Sequence, residues 1–167
     1  MAGRTFRLER TQFLPRPLPE VFAFFSDAGN LERITPGFLR FRILTPRPIP
    51  MHEGALIDYR LSLFGVPLRW RSRIDLWEPG VRFVDSQVTG PYRTWVHLHE
   101  FRAVPGGTLV TDRVDYEVPL GPLGTLARAL FVRRSLERIF DHRAEAVGGL
   151  LGGRPGPETR AAPGPGI

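Results

Sequence analysis

The segment RWRSRIDLW, residues 69–77, alternates charged and largely apolar side chains. Successive side chains of a β-strand point to opposite faces, so the alternation predicts a strand with one wet face and one buried face. The wet face carries Arg69, Arg71, Arg73 and Asp75. The buried face carries Trp70, Ser72, Ile74 and Leu76. Such a strand is typical of an antiparallel sheet that packs against a second layer on one side and meets solvent on the other.

The strand pattern extends from Phe38 to Pro119 and is interrupted by turn residues at PRPIP, FGVP, EPG, TGP and PGG. These breaks predict six strands, over residues 38–45, 55–64, 67–77, 81–89, 92–104 and 108–118. The segment RTFRLERTQFL, residues 4–14, also alternates and predicts a strand at the start of the chain. Strands joined by such short turns form an antiparallel meander.

Helical periodicity flanks the strands. The segments PRPLPEVFAFFSD and AGNLERITP, together residues 15–36, predict two short helices after the first strand. After PLGPLG the pattern is helical to about Leu151, which predicts one long helix near the C-terminus. One long amphipathic helix can cover one face of a curved sheet, so the sequence predicts an α+β domain of two layers.

Arg143 interrupts the apolar stripe of the long helix. The other members of the stripe are apolar: Ala129, Val132, Leu136, Ile139, Phe140, Val147 and Leu150. A guanidinium aimed at a core is costly unless it is paired, hydrogen-bonded or wet. Two interpretations stay open. Arg143 either extends past the helix edge to solvent, or it faces a polar-lined cavity inside the domain.

Composition narrows the possible chemistry. The chain of 167 residues has the length of one domain. It contains no cysteine, which excludes thiol nucleophiles, thiolate metal sites and disulfides. All 23 basic residues are arginine, so Schiff-base chemistry, which needs an amine that can lose a proton, is also excluded.

Despite the net charge of +6, we expect no nucleic-acid partner, because the arginines are spread along the chain rather than clustered. No apolar run approaches the roughly 18 residues that span a bilayer, so no integral membrane segment is expected. The start, MAGRTFRLER, lacks the apolar stretch of a signal peptide, and the chain is expected to be cytoplasmic. Residues 1–151 form the predicted domain, and the Gly/Pro-rich tail, residues 152–167, is expected to be disordered.

The segment TWVHLHEF, residues 94–101, places His97 and His99 on the same strand face as Trp95 and Phe101. Such a face suits a metal site, a catalytic site, a cavity lining or a wet surface. Two imidazoles on one side can bind metal, and either Asp85 or Asp112 could supply a third ligand. The ligand set is sparse, however, since the only later histidine is His142. We therefore expect no metal and no cofactor.

No catalytic sequence motif is present: the chain has no Gly-rich phosphate loop, no GxSxG and no HExxH. A histidine beside a buried carboxylate could still act as a general acid or base. The candidates for such chemistry are His97, His99 and Asp112.

Four strings together resemble a bacterial, polyketide cyclase/dehydrase-like branch of the START-like (SRPBCC) superfamily. They are VFAFFSDAGNLERITP, FVDSQVTGPYRTWVHLHEF, GGTLVTDRVDYEVPLGPLG and IFDHR. The resemblance covers roughly residues 4–150. It implies a helix-grip fold, in which a curved seven-stranded antiparallel sheet wraps around the long C-terminal helix. Two short helices after the first strand would close one end, and a deep, largely apolar cavity would lie between sheet and helix.

The branch's sequence patterns fall on named positions of this chain. F-x-D-x-Q falls on Phe83, Asp85 and Gln87, and D-x-x-x-Y falls on Asp112 and Tyr116. W-x-H-x-H-x-F and F-x-x-R fall on residues 95–101 and 140–143. Alternation alone leaves the buried face of residues 81–89 undecided, and the resemblance favours an inward Asp85. It does not name a substrate, because one fold serves many functions.

We therefore expect a small hydrophobic molecule, such as a lipid, polyketide, isoprenoid or aromatic compound, to bind in the cavity. The expected ligand-binding residues are Tyr59, Trp70, Asp85, Gln87, Trp95, His97, His99, Asp112, Tyr116 and Arg143. The alternative is a cyclase or dehydratase in which a cavity histidine is the general acid or base. A third interpretation is a partner-binding module that uses Leu130 and Phe131. The sequence does not set the oligomeric state.

Overall fold

The computed structural model describes residues 4–152 and 154–155, and in these ranges one antiparallel sheet dominates the fold. Its strands are β1 Phe6–Leu14, β2 Arg42–Ile43, β3 Leu56–Leu63, β4 Val66–Glu78, β5 Arg82–Thr89, β6 Thr94–Val104, β7 Gly107–Glu117 and β8 Arg154–Pro155. The strand order is β2-β3-β4-β5-β6-β7-β1-β8. The predicted seven-stranded meander is thus confirmed, and β8 adds a two-residue pairing to the free edge of β1.

The helices occupy the predicted parts of the chain. They are α1 Leu18–Ser26, α2 Leu31–Ile34, α3 Gly121–Ala127 and α4 Arg133–Leu151. A 3₁₀ turn, Ala28–Asn30, separates the first two, and a π-helical turn, Arg128–Val132, joins the last two into one long helical segment. Helix α4 lies across the inner face of the sheet, which confirms the helix-grip arrangement.

The predicted strand over residues 38–45 is mostly wrong. Only Arg42–Ile43 pairs with β3, and Gly37–Leu39 forms a 3₁₀ turn instead. The cause is Arg40, which has a left-handed backbone conformation, with φ of 46°, that no extended strand allows. The turn lets Leu39 enter the core instead of lying on a sheet surface.

A β-bulge in β4 changes which side chain of its last part faces inward. Ile74 pairs with Asp85 but Leu76 pairs with Val84, so Asp75 is an extra residue. Beyond it Trp77, not the predicted Leu76, reaches the interior, with ring centroids 5.3 Å from Phe83. Before the bulge the predicted alternation is confirmed: Trp70, Ser72 and Ile74 are buried and the arginines between them are exposed.

Three clusters of buried side chains form the core. The first lies between the sheet, α1 and the end of α4 and includes Leu14, Val21 and Val147. The second joins β1 and β7 to Leu136 and Phe140 of α4, and the third centres on Trp70. At the end of α4 Leu151, not the predicted Leu150, is buried. The clusters leave a cavity between them, so the interior is hollow.

The tail expected to be disordered begins at residue 152. Within it Arg154–Pro155 pairs with Gln12 and Phe13 of β1. Residues 153 and 156–167 lie outside the described residues. Within the described part of the chain, none of the helices is sufficiently long and apolar to cross a membrane.

Candidate functional site

The cavity lies between the concave face of the sheet and α4 and has a volume of about 180 Å³. Aromatic side chains form much of its wall. Trp70 and Trp95 meet edge to face at 5.3 Å, and Tyr59 stacks on Trp70 at 6.0 Å. Aliphatic side chains from the helices and loops complete the wall, including Leu31, Leu39, Met51, Leu136 and Ile139. A largely apolar concave site of this kind suits an apolar ligand.

The polar groups of the apolar wall are satisfied by one another. Trp70 donates its indole N–H to Ser72 Oγ at 3.1 Å, and the hydroxyls of Tyr59 and Ser72 are hydrogen-bonded at 2.8 Å. Burial raises the pKa of Tyr59, so its phenol stays neutral. This part of the wall therefore offers a ligand mainly apolar surface and ring faces.

Strand register assembles a charged cluster at one place in the wall. Asp85 of β5 lies directly opposite His97 of β6, and Asp112 of β7 lies directly opposite His99. Residues directly opposite each other in antiparallel strands share a face, and diagonal neighbours are within reach of long side chains. Two acids therefore flank two histidines across three adjacent strands.

Each carboxylate uses one oxygen to contact both imidazoles. Asp112 Oδ1 lies 3.1 Å from Nε2 of His97 and 2.9 Å from Nδ1 of His99. Asp85 Oδ1 lies 3.0 Å from Nε2 of His99 and 3.8 Å from Nδ1 of His97. The ring centroids of the two imidazoles are 3.8 Å apart. The distances show that His99 contacts both acids closely, whereas Nδ1 of His97 is beyond hydrogen-bond range of a carboxylate.

The two histidines differ in charge. Burial and the neighbouring positive His99 lower the pKa of His97 to about 4, despite the hydrogen bond to Asp112. Burial also lowers the pKa of His99, but the close contacts of His99 with Asp112 and Asp85 outweigh burial. The pKa of His99 is therefore raised above its usual value. At neutral pH His97 is therefore neutral, whereas His99 keeps its proton to a higher pH than a free imidazole does.

Both acids stay ionised although they are buried. Burial raises the pKa of Asp112, but the Arg143 charge and the histidine contacts hold it well below its ordinary value. Asp85 follows the same pattern, with its hydrogen bond from His99 as the main cause of a lowered pKa. When His99 is protonated, the two carboxylates, the imidazolium and the guanidinium of Arg143 sum to zero charge.

Arg143 faces the cavity, which decides between the two interpretations of its position in the apolar stripe. The side chain is part of the cavity wall and its guanidinium lies 5.7 Å from the ring centre of Phe25. Its Nε is buried and has no hydrogen-bond partner among the described residues. His99 Nδ1 is likewise buried, but it faces the carboxylate of Asp112, whose Oδ1 lies 2.9 Å away. Arg143 Nε–H is thus a buried donor in the cavity wall without an acceptor among the described residues.

Of the ten residues expected to bind ligand, seven lie in the cavity wall: Tyr59, Trp70, Asp85, Trp95, His97, His99 and Arg143. The other three do not. Asp112 lies beyond the wall, in contact with the histidines. Gln87 forms a local clamp, donating to the carbonyl of Tyr92 at 2.7 Å and accepting from its N–H. Tyr116 belongs to the solid core, where its hydroxyl accepts from Arg128 Nε at 3.4 Å.

Sequence reasoning missed several wall residues. Ser72 gave a usable signal, because it is a polar residue on the buried face of an alternating strand. Tyr92 was placed at the start of a strand, but it lies in the turn before β6 and its ring reaches the cavity. Met51 lies in an irregular loop, for which no periodic pattern exists. Side chains of that kind are found only from the three-dimensional path of the chain.

The charge difference between the histidines predicts a specific titration. At neutral pH, ring nitrogen chemical shifts should identify one neutral and one protonated imidazole at His97 and His99. The neutral ring should persist until about pH 4, and the protonated ring should remain so above the ordinary pKa of 6.5. Nitrogen-15 NMR of histidine-labelled protein measures both. Two rings that titrate together near pH 6.5 would contradict this account.

The two pKa shifts make the stability of the folded state depend on pH in opposite directions. The lowered pKa of His97 contributes stability above pH 6.5, which is lost as the pH falls from 6.5 towards about 4. The raised pKa of His99 contributes stability that is fully present below 6.5 and is lost as the pH rises through its folded-state pKa. We therefore expect the contribution of this pair to be greatest near pH 6.5.

Three of these residues could in principle hold a metal ion. Ligand atoms of Asp85, His97 and His99 lie within 4.8 Å of one another. The set resembles a two-histidine, one-carboxylate site. However, a cation there would have to displace the proton of His99 and would face the Arg143 guanidinium. The charge balance instead suits a hydrogen-bonded cluster, and the absence of a bound metal stays a prediction.

Elemental analysis tests this prediction directly. Protein purified without chelator should contain no stoichiometric transition metal by inductively coupled plasma mass spectrometry. Its thermal unfolding should be unchanged by added Zn²⁺ or by EDTA, because a metal that binds only the folded state would raise the unfolding temperature. A stoichiometric metal, or stabilisation by Zn²⁺ that EDTA reverses, would overturn the prediction.

Comparisons with proteins of known structure support the fold. The di-domain ARO/CYC protein StfQ from the steffimycin biosynthetic pathway is 15% identical, with a TM-score of 0.68 over 89% of this chain and 51% of StfQ. TTHA0849 from Thermus thermophilus is 20% identical, with a TM-score of 0.62 over 88% of this chain and 99% of that one. Major latex-like protein 151 from Panax ginseng is 13% identical, with a TM-score of 0.63 over 89% and 99% of the two chains.

At these identities the likeness establishes the helix-grip fold and no particular activity. No curated protein sequence matches the chain. Residues 14–142 do match the family described as "Polyketide cyclase / dehydrase and lipid transport". That range includes most of the sheet, all four residues of the charged cluster and much of α4. The chain therefore belongs to the polyketide cyclase/dehydrase and lipid transport family of the START-like (SRPBCC) superfamily.

Proposed function

We propose that the protein binds a small apolar molecule in the cavity between the sheet and α4, with a hydrogen-bond acceptor of that molecule at the charged cluster. The observation that carries this proposal is the contrast within one cavity. Most of the wall is aromatic or aliphatic, and one end carries Arg143, whose buried Nε–H has no acceptor among the described residues. An apolar body gains from burial in such a wall, and specificity comes from the few polar groups.

The unpartnered donor of Arg143 defines the polar end of the ligand. Arg143 Nε–H has no acceptor among the described residues, whereas His99 Nδ1 faces Asp112. A buried donor without an acceptor is costly, so a ligand that supplies a carbonyl or carboxylate oxygen recovers free energy that an apolar ligand does not. A cationic ligand group at the same position would instead meet the guanidinium of Arg143.

The cavity volume limits the size of the enclosed part of the ligand. A cavity of roughly 150 Å³ in another protein is known to accept benzene. The cavity here, at about 180 Å³, suits a body of one or two rings or a short branched chain. The aromatic walls at Trp70 and Trp95 favour a ring that can stack or meet them edge to face.

A pair of size-matched probes tests this proposal. We expect 2-naphthoate to bind in isothermal titration calorimetry and the 2-naphthylmethylammonium cation to bind much more weakly. Removing the ring that faces the cavity, in Trp95→Ala, should weaken naphthoate binding, and the exposed Val96→Ala on the same strand should not. Native mass spectrometry of freshly purified protein should detect a co-purified small molecule. Equal binding of the two probes would contradict the acceptor assignment, and no binding of either would contradict the cavity assignment.

One observation favours a cyclase- or dehydratase-type reaction as a second function. His97 is a buried, neutral imidazole that donates from Nε2 to Asp112, which leaves the lone pair of Nδ1 without a hydrogen-bonded carboxylate. A neutral imidazole held by a carboxylate is the arrangement of a general base, and Arg143 could stabilise the negative charge that develops on a carbonyl oxygen.

Deuterium exchange distinguishes catalysis from binding alone. The bicyclic ketone 1-tetralone, incubated in D₂O, should exchange its α-protons faster with the wild-type protein than with His97→Gln, as followed by proton NMR. A bell-shaped pH dependence of that rate would support acid–base chemistry. If 1-tetralone binds but wild type and variant exchange it equally, the protein is a binder under these conditions and His97 is not its base.

A further inference from the structure

One end of the domain carries large apolar side chains that are not used in the core. They are Phe64, Val66, Leu120, Leu123, Leu126, Leu130 and Phe131, each between 58% and 78% exposed. We refer to these seven residues as the apolar rim. Seven large apolar side chains exposed at one end of a domain point to a binding surface.

The topology brings the members of the rim to the same end of the sheet. In the antiparallel meander, the β3–β4 turn with Phe64 and Val66 lies at the end where β5 turns into β6 and where β7 finishes. The chain leaves β7 at Glu117 and enters α3 at Gly121, directly past Leu120. Helix α3 and the π-helical turn after it then carry the other four members.

Helix α3 is held close to the segment that precedes it. A Cβ added at Gly124 would lie 1.8 Å from the carbonyl oxygen of Pro119, so only glycine permits this approach. Because one side of α3 is pressed onto residues 118–119, the leucines at 123 and 126 remain outside, where both are exposed. The exposure of the rim is therefore part of the packed fold.

Charge identifies the kind of partner. The stretch of residues 118–136 contains three arginines, Arg128, Arg133 and Arg134, and no aspartate or glutamate. Arg128 is turned inward, over the ring of Phe6, but Arg133 and Arg134 are exposed. Arg133 pairs with Glu137, and Arg134 makes no ion pair among the described residues. Apolar side chains beside cationic ones on a helix are the pattern of a segment that lies in the interface of an anionic bilayer.

We propose that the apolar rim, together with Arg133 and Arg134, docks the protein on the surface of an anionic lipid bilayer. The apolar side chains would enter the headgroup region, and the two arginines would contact lipid phosphates and carboxylates. A second copy of the chain fits the rim less well, because a two-fold contact through α3 would bring like-charged arginines of both copies together. This inference is independent of the ligand in the cavity.

Vesicle co-sedimentation of the full chain tests the proposal. We expect binding to mixed phosphatidylcholine/phosphatidylserine vesicles and much weaker binding to pure phosphatidylcholine vesicles. The Leu123→Ser, Leu126→Ser double variant should lose on the order of tenfold or more in vesicle affinity. Arg133→Gln with Arg134→Gln should lose about 25-fold, since each basic residue near the surface adds roughly fivefold. Val81→Ser, an exposed apolar position in the turn at the opposite end of the sheet, should bind as wild type does.

Three results would overturn the proposal. They are failure of the wild type to bind either vesicle, equal binding to both vesicles, and wild-type binding by the Leu123, Leu126 variant. Analytical ultracentrifugation of the same proteins tests whether a second copy of the chain covers the rim. A wild-type dimer that the leucine variant dissociates would assign the rim to a second copy of the chain instead of a bilayer. Thermal unfolding confirms that each variant is folded before it is compared.

Discussion

Replacing Asp112 with alanine should destabilise the folded protein by about 3–5 kcal/mol at neutral pH, the usual cost of removing one partner from a buried ion pair. Asp112 contacts both imidazoles and its charge is held ionised mainly by Arg143. Without it the His99 imidazolium and the guanidinium retain only Asp85 as a counter-charge. The buried cluster would then either carry an excess positive charge or lose the proton of His99, and both cost stability.

The same strand provides a matched control for this substitution. Asp115 is three residues further along β7, is partly exposed and pairs with Arg7 at 2.6 Å. Exposed ion pairs of this kind contribute at most about 1 kcal/mol, so Asp115→Ala should have a small effect. Urea unfolding monitored by tryptophan fluorescence measures both variants. Equal destabilisation by Asp112→Ala and Asp115→Ala would show that the cluster is not an energetically linked unit.

The effect of Asp112→Ala should also depend on pH with a defined sign. The pKa of Asp112 is lowered in the folded state, so its charge contributes stability above the ordinary value of 3.8 and loses that contribution as the pH falls through the folded-state pKa. The difference in unfolding free energy between wild type and variant should therefore shrink in strong acid. A difference that is constant from neutral to strongly acidic pH would mean that packing, and not charge, sets the cost.

Replacing Arg143 with methionine should weaken 2-naphthoate binding roughly ten- to 150-fold. This range is the contribution of one hydrogen bond to a charged group, about 1.5–3 kcal/mol. Methionine retains an unbranched apolar side chain, so the cavity keeps much of its lining. Because Arg143 Nε has no hydrogen-bond partner among the described residues, the substitution breaks no bond at that atom. The substitution also removes the charge that holds Asp112 ionised, so we expect a loss of stability as well, and naphthoate affinity is measured at a temperature where the variant is folded.

Arg138→Met on the same helix is the control, because Arg138 is exposed and lies over the ring of Phe38 rather than in the cavity wall. Calorimetric titration of both variants with 2-naphthoate and thermal unfolding of both proteins complete the experiment. Unchanged naphthoate affinity in Arg143→Met, with the fold intact, would show that Arg143 does not contact the ligand's polar end.

The fold could be predicted largely from local patterns, and its exceptions have local causes. The alternation of residues 69–74 correctly assigned both faces of β4, because a regular strand fixes the direction of every second side chain. It failed at Asp75, where a bulge adds one residue and exchanges the faces. The predicted strand over residues 38–45 failed at Arg40, because no periodic pattern signals the left-handed conformation of that residue.

The sequence predicted most residues of the site, but it did not predict which of them contact one another. The HxH spacing places His97 and His99 on one face, yet it does not say which acids lie beside them. That depends on the pairing of β5 and β7 with β6, which brings Asp85 and Asp112 to either side. The resemblance pointed to Gln87 and Tyr116 as well, but one holds a turn and the other fills the solid core.

The central claim is that the charged cluster and Arg143 form the polar end of a ligand cavity. A crystal structure of the protein grown with 2-naphthoate tests it most directly. We expect electron density for the two rings of naphthoate between Trp70, Trp95 and α4, with a carboxylate oxygen about 3 Å from Arg143. Density for naphthoate outside the cavity, or a cavity closed by its own side chains with the cluster sealed from any ligand, would contradict it.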